Sequence, residues 1–305
     1  MKMKSATAAP LLCLVTSALA LAARFIDPAR LGLEDSPHLS IIVLQLLIFA
    51  VPAIFFCKLR PETCTASAMK LRFFKPDALV FTIFATGALV AGSCALRTGL
   101  YTLFPAAASA GSTSYFETFS GPAGGSFYNA LAFALLPALT EEFLFRSVLM
   151  AEYESAGIAA SVVITSACFA LLHYSIALFP VYFFCGVVLA FIAVVTRSVL
   201  ASMAAHTLTN LVTLWGDAPL RRLAQRPDNT FIFICITAAV FLLFAALTFG
   251  EAQRIYGNRG VLADPREKPR AVNKKERAKR AAEAFSSPLL ITFAALCIII
   301  TIAAT

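Results

Sequence analysis

Among the strongly polar side chains inside long apolar runs are Glu141, Glu142, Arg146, His173, His206 and Asn210. Lipid makes ionisable groups expensive unless they are paired or hydrated, so they are functional-site candidates by default. Two of the chain's three histidines are among them. In Pro137-Ala138-Leu139-Thr140-Glu141-Glu142-Phe143-Leu144-Phe145-Arg146, Glu142 and Arg146 are four residues apart and share a helical face, where they can pair. Glu141 is turned from them by about one hundred degrees and is left outside the pair. One carboxylate thus has a structural use and the other is a candidate general base or acid. Phe169 and His173 share a face, and so do His206 and Asn210. If the three stripes converge, they enclose a wet pocket of carboxylate, two imidazoles and an amide, a set that activates water and stabilises an oxyanion. Each feature also has a plainer reading. A Glu–Arg pair can be a helix-packing bridge, a lone His a bonded core residue, and His-x-x-x-Asn an interhelical glue. Three such coincidences on three helices weigh less than one shared site.

The elements that must carry these residues are membrane helices. Hydrophobic residues make up 59% of the 305 and charged residues only 14%, with a mean hydropathy of +0.81. A soluble domain carries roughly a quarter charged residues. This excludes an ordinary soluble enzyme, a disordered chain and a nucleic-acid-binding module. Unbroken apolar runs near twenty residues argue against a β-barrel, whose segments alternate. The runs fall at about 5–23, 39–57, 78–98, 127–149, 158–174, 178–196, 199–214, 230–248 and 287–304. The expected fold class is an all-α, polytopic transmembrane helical bundle of about nine helices, an eight-helix body plus one C-terminal helix. The first run, preceded by Lys2 and Lys4 and ending in Ala18-Leu19-Ala20, also fits a cleavable signal peptide. Its length favours a retained helix.

The net charge of +8 is mostly topological. Ten of the 25 Lys and Arg fall between Glu251 and Ser286, and five between Lys58 and Asp77. With a cytoplasmic N-terminus, the inside segments hold 18 and the outside segments 6, which orients the set N-in and C-out. The stretch Phe104 to Ser126, rich in Ala, Gly and Ser, reads as an irregular external loop. Within the basic stretch, Asn273 to Ala284 is a good helix former. Of the eight cysteines none forms a CxxC pair, only Cys64 is clearly in a loop, and no disulfide framework emerges. No internal repeat supports an inverted-repeat transporter.

The order Glu-Glu-x-x-x-Arg, Phe-x-x-x-His, His-x-x-x-Asn on successive helices resembles the CPBP family, the CAAX-processing and bacteriocin-processing intramembrane proteases that include the type II CAAX prenyl endopeptidases. The resemblance covers roughly residues 127–214. It implies that Glu141 activates the attacking water, His173 binds or orients it, and His206 and Asn210 form the oxyanion site. Glu142 and Arg146 would hold the fourth helix and tune Glu141, with Phe169 supporting the site. The family is described both as metalloproteases and as glutamate-type hydrolases. Glu141, His173 and His206 are therefore candidate ligands for a possible Zn, although no His-Glu-x-x-His helix is present. A glutamate-activated water is the favoured reading.

The chain therefore reads as five regions: 1–126 with three helices and an external loop, a catalytic core at 127–214, an eighth helix within 215–250, a basic cytoplasmic linker at 251–286, and a C-terminal helix at 287–305. The expected function is an intramembrane endopeptidase in a bacterial inner membrane. Its substrate would be a membrane protein or lipidated peptide, and anionic lipid headgroups would bind at 251–286. A non-catalytic scaffold or regulator and a proton-coupled transporter, using the same polar residues, are the rival readings. One difficulty is depth: drawn from these runs, His173 lies at the far end of a short fifth helix from Glu141 and His206, and an extension of the fourth helix through Met150 to Gly157 would help them meet.

Overall fold

The computed structural model describes residues 5–23, 25, 37–105, 126–224, 229–261 and 273–304. Among them there is no strand, and the chain is an all-α polytopic bundle. In lipid a backbone must satisfy its own polar groups, and helices do so within one segment. Each of the nine apolar runs coincides with a helix. These are α1 (Ser5–Ala23), α2 (His38–Leu59), α3 (Pro76–Leu103), α4 (126–153), α5 (Ile158–Leu171), α6 (Phe179–Thr196), α7 (Val199–Ala224), α8 (Thr230–Val261) and, after an amphipathic α9 (Lys274–Phe285), α10 (Pro288–Ala304). The basic segment forms α9 where helix formers are densest, and Asn273 Oδ1 caps it by accepting from the Lys275 N–H at 3.3 Å. Most of the Phe104–Ser126 stretch and the middle of the 251–286 segment lie outside the described residues.

Six described helical segments are long and apolar enough to cross a membrane by length and composition: Ser5–Ala23, His38–Leu59, Pro76–Leu103, Phe179–Thr196, Thr230–Asn258 and Lys274–Ala303. The remaining three helices, α4, α5 and α7, carry the polar stripes. α5 has only 14 residues, about 21 Å against a hydrocarbon core of about 30 Å.

Two helices are locally widened into π turns, at Leu46–Ala50 in α2 and at Ala130–Leu135 and Phe143–Leu149 in α4. Pro52 and Pro137 follow the first two, and each lacks the N–H that a regular turn would use. The third begins at the residue after Glu142.

Two apolar cores result. One joins α1, α2, α4, α5 and α10, and includes Phe145, Leu149, Phe169, Phe293 and Cys297. The other joins α3, α6, α7 and α8 around Phe81, Leu89, Leu189 and Ile255. The C-terminal helix α10 is part of the body, packed on α1. Ser17 in α1 reaches the Tyr174 hydroxyl at 2.8 Å and Cys297 Sγ at 3.8 Å, and the Ser287 hydroxyl donates to Ala6 O at 2.5 Å. α5 and α6 pack tightly at Gly186, where an added Cβ would stand 2.8 Å from Ser166 Cβ and 3.0 Å from its Cα. All eight cysteines are free thiols.

Candidate active site

The two cores meet along a buried ionic cluster. Glu142 and Arg146 are fully buried, and Arg146 Nη1 donates to Glu142 Oε1 at 2.7 Å, as their spacing on α4 predicts. Arg146 Nη2 donates to Gly186 O on α6 at 3.1 Å, and its guanidinium lies 4.5 Å from the Phe169 ring centroid on α5. Glu142 takes two more partners from α7. The Ser202 hydroxyl donates to Oε2 at 2.5 Å, and His206 Nδ1 lies 2.9 Å from Oε1. A carboxylate only accepts, so His206 carries its proton on Nδ1 in this bond. One carboxylate therefore ties together three helices, and the charge it buries is matched by Arg146.

Phe169 is the hinge of the site. Its ring meets His173 at 4.7 Å, His206 at 5.9 Å and Phe145 at 5.3 Å between centroids. His173 sits in the turn just after α5. Its Nδ1 donates to Phe169 O at 2.8 Å, and its ring stacks on Tyr182 of α6 at 3.8 Å and 22°. Next to it Tyr174 adopts a left-handed backbone, φ 49°, and turns its hydroxyl towards Ser17. Glu141, His206 and Arg146 all act electrostatically on the His173 ring. α4 extends through Met150–Tyr153 to a turn at Glu154–Ala156 before α5 begins at Ile158. The reversal at Arg197 and Ser198 sits beside Met150 and Ser161 rather than beyond the end of α4, which sets His206 level with Glu142.

Glu141 differs from its neighbour in every respect. It is half-buried, and its Oε1 accepts one bond, from Gln45 Nε2 on α2 at 3.2 Å. The sequence leaves Glu141 without a partner; the structure supplies Gln45, an uncharged residue in an otherwise apolar run. Asn210 is also half-buried and donates one amide hydrogen to Ala134 O at 3.3 Å, a carbonyl within the first π turn of α4. Of the expected oxyanion pair, His206 Nδ1 and one Asn210 N–H are thus committed to α4, which leaves His206 Nε2 and the second amide hydrogen for other partners.

Three more polar contacts escape the sequence pattern. His38 Nε2 on α2 meets Asn129 Oδ1 on α4 at 2.6 Å. Asp217 on α7 is gripped by Arg97 of α3 at 2.8 Å and by Arg221 at 3.0 Å. Buried Glu152 at the end of α4 receives two bonds from Arg60, at 3.2 and 3.0 Å, and one from the Thr63 hydroxyl.

Among the described residues no group of three His, Cys, Asp or Glu side chains is placed to hold a metal ion. The trio Glu141, His173 and His206 therefore does not form a three-ligand zinc site in this arrangement, and no step below runs through a metal.

Residues 123–212 match the family model described as type II CAAX prenyl endopeptidase Rce1-like. Over that stretch, less than a third of the chain, the sequence is similar to the CPBP/CAAX proteases. The match spans α4 to α7 as far as residue 212, and so takes in Glu141, Glu142, Arg146, Phe169, His173, His206 and Asn210. A CAAX-type intramembrane endopeptidase is a hydrolase embedded in the membrane, which agrees with the apolar helices. No curated protein and no solved structure matches the chain. Gln45 and Ser17, which reach this core from α2 and α1, lie outside the matched segment.

Proposed function

We propose that this chain hydrolyses a peptide bond in a membrane-associated or lipid-modified protein, with Glu141 as the base that activates water. The observation that carries the reading is the contrast between adjacent carboxylates. Glu142 is closed off by Arg146, Ser202 and His206, whereas half-buried Glu141 keeps one neutral partner, Gln45. Glu141 takes a proton from water, and the oxygen attacks the carbonyl carbon. His173, with Nδ1–H given to Phe169 O, offers the Nε2 lone pair to the water's other hydrogen and so orients it. The carbonyl oxygen becomes an oxyanion next to His206 and Asn210. The second Asn210 N–H donates to it, as does His206 Nε2–H when both ring nitrogens carry a proton. Glu141 then returns the proton to the amine nitrogen as the C–N bond breaks, giving a carboxylate and an amine.

Nothing in the chain selects a prenyl group, so the substrate class is set by the membrane location and remains broader than CAAX proteins. The Lys/Arg bias supports a cytoplasmic N-terminus and, in a bacterium, an inner-membrane location. The basic face of α9 suits anionic headgroups.

The test is cleavage of a peptide panel by the purified chain in detergent, containing prenylated CAAX peptides and apolar transmembrane segments, with and without a zinc chelator. Wild type is expected to cleave. Glu141→Gln is expected to lose about 10²- to 10⁴-fold in rate with an unchanged melting temperature. Cleavage retained by Glu141→Gln would sink the assignment of the base. A transporter would show uptake without fragments, and a scaffold would be indifferent to the substitution.

A further inference from the structure

The α5–α6 hairpin brings two rings face to face. α5 ends at Leu171 and α6 begins at Phe179. Backbone bonds hold the turn between them. His173 N–H donates to Ala170 O at 3.3 Å, Tyr174 N–H to Leu171 O at 3.1 Å, Leu178 N–H to the Ser175 hydroxyl oxygen at 3.2 Å, and Tyr182 N–H to Leu178 O at 3.1 Å. Pro180 sits in the first turn of α6, where a helix needs no N–H from it. Across this turn the His173 and Tyr182 rings stack, with 3.8 Å between centroids and 22° between planes.

The stack is the last rung of a ladder that starts at the ionic cluster. On α6, Tyr182 and Gly186 are four residues apart and share a face. Gly186 O receives Arg146, the Arg146 guanidinium lies 4.5 Å from the Phe169 ring centroid, and Phe169 meets His173 at 4.7 Å and 61°. His173 thus touches two aromatic rings in different ways, Phe169 towards the edge and Tyr182 face on. Glu141 acts electrostatically on both the His173 imidazole and the Tyr182 phenol, so both rings lie in the field of the proposed base.

The polar anchor of His173 is one hydrogen bond, from Nδ1–H to Phe169 O at 2.8 Å. One bond fixes where Nδ1 sits but leaves the ring plane free to rock. A face-to-face partner removes that freedom, because rocking would either separate the rings or drive them into each other. Positioning of this kind matters in catalysis, where a misplacement of about 1 Å can cost about a hundredfold in rate. An aliphatic side chain would fill the same space without setting a plane.

We propose that Tyr182 is a positioning residue of the hydrolase, its ring clamping the His173 imidazole in the plane at which Nε2 meets the attacking water. The inference rests on the role given to His173 in the proposed hydrolysis. It lies with the aromatic ring and not with the phenol hydroxyl.

The test uses the full chain in detergent with Tyr182→Leu, Tyr182→Met and Tyr182→Phe. Cleavage of the peptide panel gives kcat and KM. Diethyl pyrocarbonate at pH 7 acylates a free imidazole nitrogen, and peptide mass spectrometry gives its rates at His173 and His206 without any turnover. Tyr182→Leu is expected to lose roughly tenfold in kcat at unchanged KM. It should also raise the acylation rate of His173 roughly fivefold while His206 keeps its rate. The conservative Tyr182→Phe, which retains the ring, is expected to rescue both. Should Tyr182→Leu melt below wild type, Tyr182→Met carries the comparison with the same changes expected. Equal acylation of His173 with and without the ring would overturn the proposal, as would an unchanged kcat, a rise in KM alone, or equal losses in Tyr182→Phe and Tyr182→Leu. If wild type cleaves no peptide, the hydrolase reading fails, and the acylation rates still decide whether Tyr182 holds His173.

Discussion

Gln45 donates its side-chain N–H to Glu141 across 3.2 Å, from α2 to α4. This bond joins a residue outside the family core to the proposed base. A hydrogen bond to a charged group is worth about 1.5–3 kcal/mol. Gln45→Leu is therefore expected to slow cleavage by roughly ten- to a hundredfold through a misoriented carboxylate, with the melting temperature little changed. Full activity in Gln45→Leu, measured as kcat on a cleaved peptide, would show that Glu141 needs no help from α2.

Arg146→Ala strands the fully buried Glu142 carboxylate without its guanidinium partner. Removing one partner of a buried pair costs about 3–5 kcal/mol. Folded yield and melting temperature should fall well below those of Glu141→Ala, whose carboxylate is half-buried. Arg146→Lys should not restore them, because one ammonium cannot reach Glu142 and Gly186 O while also stacking on Phe169. Equal melting of the Arg146→Ala and Glu141→Ala variants would contradict the structural role of the pair.

Gly186→Ala forces α5 and α6 apart, because the new methyl meets Ser166 backbone as well as its side chain. Overpacking of this kind costs about 1–3 kcal/mol. The same shift moves the carbonyl that Arg146 holds and the turn that carries His173, so activity should fall together with stability. Adding Ser166→Gly should recover part of both. Thermal melts and peptide cleavage on the two variants check this, and an unaffected single variant would refute it.

Cys64 lies in the 60–75 loop. The hydrogen bond with Cys57 holds its thiol below the usual range, with help from Thr63 and Arg60 and against the opposing effects of burial and Glu152. A lower pKa means more thiolate at neutral pH, and the thiolate is the reactive form. Iodoacetamide at pH 7 should modify Cys64 ahead of the buried thiols. Its rate should level off at a lower pH than that of a free thiol, and Cys57→Ala should move that profile upward. Peptide mass spectrometry across pH 6 to 10 reads it. A profile that Cys57→Ala leaves in place would mean the two thiols do not interact.

What the sequence disclosed follows from distance along the chain. The nine apolar runs, the helix at 274–285 and the Glu142–Arg146 pair depend on local periodicity, and each is found in the structure. His206 on Glu142 and Gln45 on Glu141 depend on how helices are rotated and offset against each other. Apolar residues surround these helices on most faces, so hydropathy does not fix their rotation. The π turns add to the difficulty, since each shifts the register of everything beyond it. Gln45 also carries no charge, and a search for ionisable groups passes it by. The widening before Pro137 had a visible cause, the missing N–H, but proline in a membrane helix is common enough to read as ordinary.

The pairing of α1 with α10 has a consequence for biogenesis. α1 is translated first among the described helices and α10 last, yet Ser17 on α1 has one of its partners on α10 and another at the turn beside His173. During synthesis the hydroxyl-bearing face of α1 must be sheltered by lipid, by the insertion machinery or by earlier helices until some 280 further residues have followed. A ribosome stalled before residue 288 would leave that face open and the support of the His173 turn unfinished. α1 also packs on α2, so its contact with α10 is the last of its contacts to form, and the bundle closes only once α10 is in place.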